Sequence, residues 1–311
     1  MGKFVLSKAV IAAMVDDIIT QKQVRSANSY VKKRRNYESA AQRKVYNLSL
    51  SAVKYLIHWF FDSRSYFDVK IMEAVRSGKS SVFAKNEKTK PLLDNLKSGI
   101  KDVVVTYAVG NRKSISRNAT EEEKQERDEN IAECEAWADE WWNSEDIQTA
   151  VESYTDRLCR EAEIIVLCGM KNDDSETEII EQYRQGMETA FLTDYVSAGL
   201  KSDTLLAARW NEHQSAFKKH AMTSAARGLA ELSAFIVAKV WMQFLISEKN
   251  TYGFYVRRGS SYPCSMCDDA VGLHSADDTK NLPPLHKHCC CIAIPLTQES
   301  YMGIKNFYDG L

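Results

Sequence analysis

The chain has 311 residues, of which 44% are hydrophobic and 27% charged, and its formal net charge is −1. That balance excludes a disordered polyelectrolyte and leaves room for one large domain or two ordinary ones. No run approaches the ~20 consecutive apolar residues of a bilayer-crossing helix, and Asp16 and Asp17 interrupt the apolar N-terminus, so neither a membrane span nor a signal peptide is expected. The near-neutral sum hides a split. Residues 1–100 carry 19 Lys/Arg against 8 Asp/Glu, residues 101–200 carry 10 against 24, and the remainder 12 against 10. A basic end facing nucleic acid or an acidic partner is one explanation, and mutual neutralisation on folding is the other.

Up to residue 262 the only proline is Pro91, which permits long helices because an interior proline costs ~3 kcal/mol. Val10, Ile11, Met14, Ile18 and Ile19 recur at helical steps, as do Leu48, Val53, Leu56, Ile57, Phe60 and Phe61. Ser77 to Ser81 echoes a phosphate loop but has Glu73 where the first glycine belongs, so it reads as a plain turn. The β-branched run Asp102 to Val109, ending in Gly110-Asn111, predicts a strand and turn. Thr120 and Glu123 form a capping box for a helix through Ile131, Cys134 and Trp137 towards Trp141-Trp142. The next helix begins near Ser144 and carries Ile147, Val151, Tyr154 and Leu158. A third is predicted from about Ser175 through Ile179, Tyr183 and Met187 to Val196, with Gly199 as its stop. The longest candidate, about Ser202–Ile246, reads as two helices with Leu229, Leu232, Ile236 and Val240 on one face. Two strands, Tyr252 to Arg257 and Cys291 to Leu296, are expected to pair as a small sheet.

Cys134, Cys159 and Cys168 fit buried free thiols. The aromatic groups Trp59-Phe60-Phe61 and Trp141-Trp142 read as core or as a subunit contact. The pairs Glu161 with Glu163 and His213 with His220 read as ordinary surface features.

Five of the eight cysteines, three of the six histidines and four of the five prolines lie between Pro263 and Pro295. Thiolates and imidazoles at this density suit a tetrahedral zinc ion. Cys264 and Cys267 form one ligand pair on a tight turn. His286 and Cys289 form the second, approached by an extended Pro283-Pro284 segment. These four would close a Cys3His site, with Cys291 in reserve for His286 or Cys289. His288 and Cys290 point away by alternation, and His274 falls in the loop between the pairs. More ligands than four positions require favour a closed, structural ion, stapling a segment too small to stand alone. Unmetallated thiols or disulfides are the alternative. The fold expected is mainly α: an elongated multi-helix body with a small α+β zinc-stapled C-terminal module. It divides into a basic helical region 1–110, a helical body 111–246 and a Cys/His module 247–311.

The pieces Met222 to Arg227, Tyr252 to Val256, Cys264 to Cys267, Ala270 to Gly272, and Pro283-Pro-Leu-His286-Lys-His-Cys289-Cys-Cys291 follow one another over about residues 220–296. In order and spacing this resembles the C-terminal part of the phage Mu F-like head morphogenesis, or minor head, proteins. The Pro-Pro-Leu-His-x2-Cys-x-Cys element is the specific part. Departures are Cys290, where the family usually carries arginine, and Ser224-Ala225, where it carries an acidic residue. The resemblance implies a non-enzymatic virion protein, a portal-associated minor capsid component made in the bacterial cytoplasm. Its role would lie in head morphogenesis or DNA delivery. Partners would be the portal and other head proteins, with no membrane and no small-molecule substrate. The stretch Val31 to Arg35, with Arg25, Arg43 and Lys44, is a candidate contact to packaged DNA through phosphates; a solvated helix face explains it as well.

The rival is a zinc-dependent HNH-like nuclease, built from His274, His286 and His288 with Asp268, Asp269, Asp277 and Asp278. Against it, Asp277-Asp278 reads as a solvated loop, and no ligand-bearing helix is expected after the second pair.

Overall fold

The computed structural model describes residues 15, 18–62, 82–114, 116–188, 193–203, 206–207, 210–211, 224–248 and 251–309. Val10, Ile11, Met14, the Ser77–Ser81 turn, His213 and His220 lie outside the described residues. Helix dominates, and the only sheet among the described residues has three short strands near the C-terminus. The mainly α fold with a small α+β module is therefore present. The helices are α1 (Gln21–Asp62), α2 (Val82–Lys85), α3 (Lys90–Val109), α4 (Glu121–Asn143), α5 (Glu145–Asn172), α6 (Glu176–Met187), α7 (Asp194–Ser202) and α8 (Ala225–Ser247). Strand β1 (Gly253–Arg257), helix α9 (Ser265–Asp269), strands β2 (Gly272–Ser275) and β3 (Ile292–Leu296), and helix α10 (Gln298–Asp309) complete the order. Two compact units result: Met1–Ser39 with Ala108–Ala138 and Phe235–Leu311, and Ala40–Tyr107 with Asp139–Ala234.

Several elements differ from the sequence reading. Asp102 to Val109 is the end of helix α3, not a strand. Leu93, Leu96, Ile100, Val104 and Ala108 are all buried, and that three- and four-residue spacing outweighs the β-propensity of three consecutive valines. Gly110, at φ +59, then turns the chain into a short 3-10 segment (Gly110–Lys113). The single helix expected from Ser175 to Val196 is two. Ser175 caps α6 with a full capping box, but α6 ends at Met187, and the Thr193 hydroxyl accepts from Val196 N to start α7. Gly199 lies inside α7 and stops nothing. A Cβ there would stand 2.5 Å from Cys168 Sγ, so the glycine serves close packing. The longest described helix is α1, of 42 residues, rather than one within 202–246.

Helix α8 is also long and apolar enough, by length and composition, to cross a bilayer, which corrects the expectation that no segment is. Some 67% of its most apolar window is buried inside the protein, so its hydropathy is that of a core helix.

In the unit of residues 40–107 and 139–234, α5 is the core element. It packs against α2, α6 and α7, burying Ile147, Val151, Leu158, Ile165 and Cys168 among others. Each such aliphatic side chain contributes about 1.5–3 kcal/mol by leaving water. Phe60 and Trp142 are buried here, as the aromatic pairs suggested. Glu161 and Glu163, read as surface residues, are buried instead. Glu163 accepts from Phe83 N at 2.9 Å, at the start of α2. Glu161 accepts from Ala225 N at 3.1 and 3.2 Å, at the start of α8, and pairs with buried Arg157 at 3.1 Å. Each carboxylate thus satisfies an unpartnered helix N-terminus from a neighbouring helix.

In the other unit, Trp241 of α8 stacks on Tyr37 at 5.0 Å between ring centres and meets Tyr30 at 5.5 Å. The Arg112 guanidinium lies 4.4 Å from the Trp241 ring and 3.9 Å from that of Phe244. It also donates to the last carbonyls of α3, Ala108 O and Val109 O. The sheet order is β2-β1-β3, all antiparallel, with Phe254 opposite His274 and Val256 opposite Ala293. The two strands expected do pair. Because side chains alternate across a strand, one face gathers Phe254, Val256 and Ala293 with Cys267, Cys289, Cys291, Leu282, Met242 and Leu245. The opposite face gathers Tyr255, Ile294 and Leu296 with Ile304 of α10 and with Val15, Ile19 and Ala27.

Candidate metal centre

Two tight turns and one sheet face bring the sulfurs together. Cys264 precedes α9, whose single turn swings Cys267 back beside it, with Asp268 N donating to Cys264 O at 2.9 Å. Arg258 clamps this turn. It donates to Cys264 O at 3.2 Å and also binds Tyr262 O and the Asp268 carboxylate. The second turn closes with Cys289 N donating to His286 O at 3.1 Å, and His288 takes the left-handed conformation, φ 62. The Pro283-Pro284 peptide leading to it is cis, where an extended run was expected. Gly259 lets the loop after β1 lie against this second turn. A Cβ at 259 would stand 1.6 Å from Cys290 O, which no side chain permits.

All five expected ligands converge. Cys264, Cys267 and His286 present ligand atoms within 4.8 Å of one another, and so do Cys267, Cys289 and Cys291. Cys267 belongs to both triads. His286 Nε2 is 3.3 Å from Cys264 Sγ and 3.1 Å from Cys267 Sγ, and Cys267 Sγ is 4.0 Å from Cys289 Sγ. The other ring nitrogen, Nδ1, lies 2.6 Å from Lys287 O. A proton on Nδ1 satisfies that carbonyl and leaves the Nε2 lone pair facing the sulfurs, the arrangement that orients a metal-binding histidine. Cys267, Cys289 and Cys291 are buried, while Cys264 and His286 are partly exposed.

With protons in place of a cation, the thiols are unequal. The hydrogen bond from Cys291 pulls Cys289 down to about 5. Burial pushes Cys267 up to about 11, and the bond to Cys289 raises Cys291 far above its ordinary value. One sulfur is thus favoured as thiolate while its neighbours keep their protons. A divalent cation would let all of them ionise, since its charge replaces the protons and offsets their repulsion. The donor set of soft sulfur and imidazole nitrogen fits such an ion.

The remaining candidates sit elsewhere. His288 and Cys290 are outside both triads, with Cys290 Sγ 3.4 Å from His288 O. His274, expected in a loop, is on β2, paired opposite Phe254. Its Nδ1 is 2.8 Å from Asp278 Oδ2 and its Nε2 2.8 Å from Ala270 O. The hydrogen bonds of His274 and then Asn281 hold Asp278 below the usual carboxylate range. His274, Asp278 and Asn281 therefore brace the connection between the two ligand pairs. The bracing trio and the Arg258 clamp were missed by the sequence reading. The four-residue spacing of His274 and Asp278 was the available signal for the first. The segment after the second pair is extended, as β3, and a helix, α10, follows that strand. This helix packs on the sheet face away from the sulfurs and contains neither cysteine nor histidine.

Compared with family models, with curated proteins and with solved structures, the chain matches none of them.

Proposed function

We propose that this chain is a minor head protein of a bacteriophage or prophage. In this reading it associates with the portal and other head proteins in the virion, is made in the bacterial cytoplasm, and acts in head morphogenesis or DNA delivery. Its C-terminal module holds one structural zinc ion and performs no catalysis. The observation carrying the reading is the meeting of the two halves of the Mu F-like pattern, the Cys-x2-Cys pair and the His-x2-Cys-x-Cys pair, with His286 Nε2 3.1 Å from Cys267 Sγ. Zinc is the ion that sulfur-rich, four-coordinate sites of this kind hold most readily. The two triads sharing Cys267 offer more donors than four positions need, which supports a structural role over a catalytic one. Support against the nuclease comes from His274, whose two ring nitrogens are engaged by Asp278 and the Ala270 carbonyl.

Two measurements test the reading separately. Elemental analysis of protein purified under reducing conditions should return about one zinc per chain, and Cys267→Ser should abolish it; folded, metal-free wild type would sink the zinc assignment. Co-expression with portal subunits of the same phage or prophage should give a complex that survives size exclusion, and failure to form one would count against the head assignment.

A further inference from the structure

The first half of α1 carries a basic face with no acid on it. Lys22, Arg25, Lys32 and Lys33 are all exposed. At 100° per residue they fall on one arc of about 100°, with exposed Ser29 and Asn36 between them. From Lys22 to Lys33 the face runs ~17 Å. Among the described residues none of the four makes an ion pair. The one acid in this stretch, Glu38, lies on the opposite side and pairs with Arg34 at 2.7 Å. Arg34 itself is buried, which removes it from the basic stretch the sequence offered.

We infer that this face binds the phosphate backbone of nucleic acid, without sequence preference. Duplex DNA presents one charge per ~1.7 Å of axis, so four cations over this length each find a phosphate. Hydroxyl and amide groups between them supply the neutral donors that such contacts use. A membrane surface fits less well. Helices that lie on lipid insert their own apolar face, and here Ala27 and Val31 are buried within the protein. A protein partner fits less well too, because interface cores deplete lysine and favour aromatic anchors, of which this arc has none. The later bases of α1, Arg43, Lys44 and Lys54, are exposed as well but belong to the other unit, and the inference rests on the first four. It stands on the helix and not on the head-protein reading, so portal association and DNA binding can fail independently.

The test is fluorescence anisotropy of a short random-sequence DNA duplex against the full chain over a salt series. Three proteins are compared: wild type, Lys22→Ala/Arg25→Ala/Lys32→Ala/Lys33→Ala, and a control losing the same charge at exposed sites elsewhere, Lys88→Ala/Lys113→Ala/Arg117→Ala/Lys305→Ala. Four phosphate contacts predict a log–log salt slope of about −3.6. The first variant should bind at least tenfold more weakly at ~0.1 M salt, with most of that slope gone, while the control keeps both. Lys33→Ala alone should reduce the slope by about one, and this single exposed change guards against a misfolded quadruple variant. Equal binding by wild type and the first variant would overturn the inference. So would equal loss in the control, or a preference of the wild type for phosphatidylserine vesicles over the duplex.

Discussion

The α5-centred unit and the Cys/His module reach order by different physics. Helix α5 spans 28 residues and is surrounded by apolar neighbours, so burial alone gives it many small, redundant contributions. The module's strands have four or five residues and α9 has five. Elements so short are marginal in isolation. Its sulfur face replaces apolar bulk with two donor triads that share Cys267. The contrast teaches that loss of one contact should be graded in the first region and all-or-none in the second.

The largest effect should come from removing the proposed zinc ion. Chelation, or Cys267→Ser, should strip hydrogen-exchange protection from β1 and β3 while α5 amides stay protected. Structural zinc sites contribute roughly 10–16 kcal/mol in small peptides, more than any single buried side chain of the module at about 1.5–3 kcal/mol. Unchanged β1 protection after chelation would erase the contrast.

Next is Glu161→Ala, which removes the carboxylate that the buried Arg157 guanidinium and the Ala225 N–H share. Breaking a buried pair from one side costs about 3–5 kcal/mol, readable as a lower urea midpoint for the helical signal. A loss below ~1 kcal/mol would mean that water reaches Arg157.

The same residue gives a pH test. Burial, opposed by Arg157, raises Glu161 to about 7 from its ordinary 4.5. Because the folded state then holds the proton more tightly, this group's stabilisation is complete below about pH 4.5 and is lost as pH rises through about 7. Glu161→Gln cannot titrate. The stability difference, wild type minus Glu161→Gln, should therefore fall between about pH 4.5 and 7 and flatten above. A flat difference would show that Glu161 titrates alike in both states.

The smallest effect expected is Ser175→Ala, which opens the α6 capping box and should cost about 1 kcal/mol by thermal denaturation. That it should cost so little, and leave zinc content untouched, is part of the same contrast.

Helices were legible in the sequence where apolar spacing was clean, as at Ile147, Val151, Tyr154 and Leu158 and at the Ser175 cap. They were misread where local propensity and periodicity disagreed, as in Val103 to Val105. The break at Thr193 was hidden because the residues on both sides share helical spacing. The ligands were legible because each pair is only three residues apart, so the local turn places them. Arg258 and the His274–Asp278–Asn281 brace were missed although their partners lie within ten residues, because a loop has no period to show which polar side chains turn towards one another. The burial of Glu161 was hidden because it depends on the start of α8, 64 residues away, coming alongside.

The face of the sheet opposite the sulfurs carries a consequence for synthesis. Val15, Ile19 and Ala27 are translated well over two hundred residues (~270) before their partners Ile294, Leu296 and Ile304. At roughly 5–20 residues per second, the early apolar side chains wait for tens of seconds without a mate. A nascent chain therefore carries this apolar segment uncovered until β3 and α10 have been made, the stage at which chaperone capture or premature association would act.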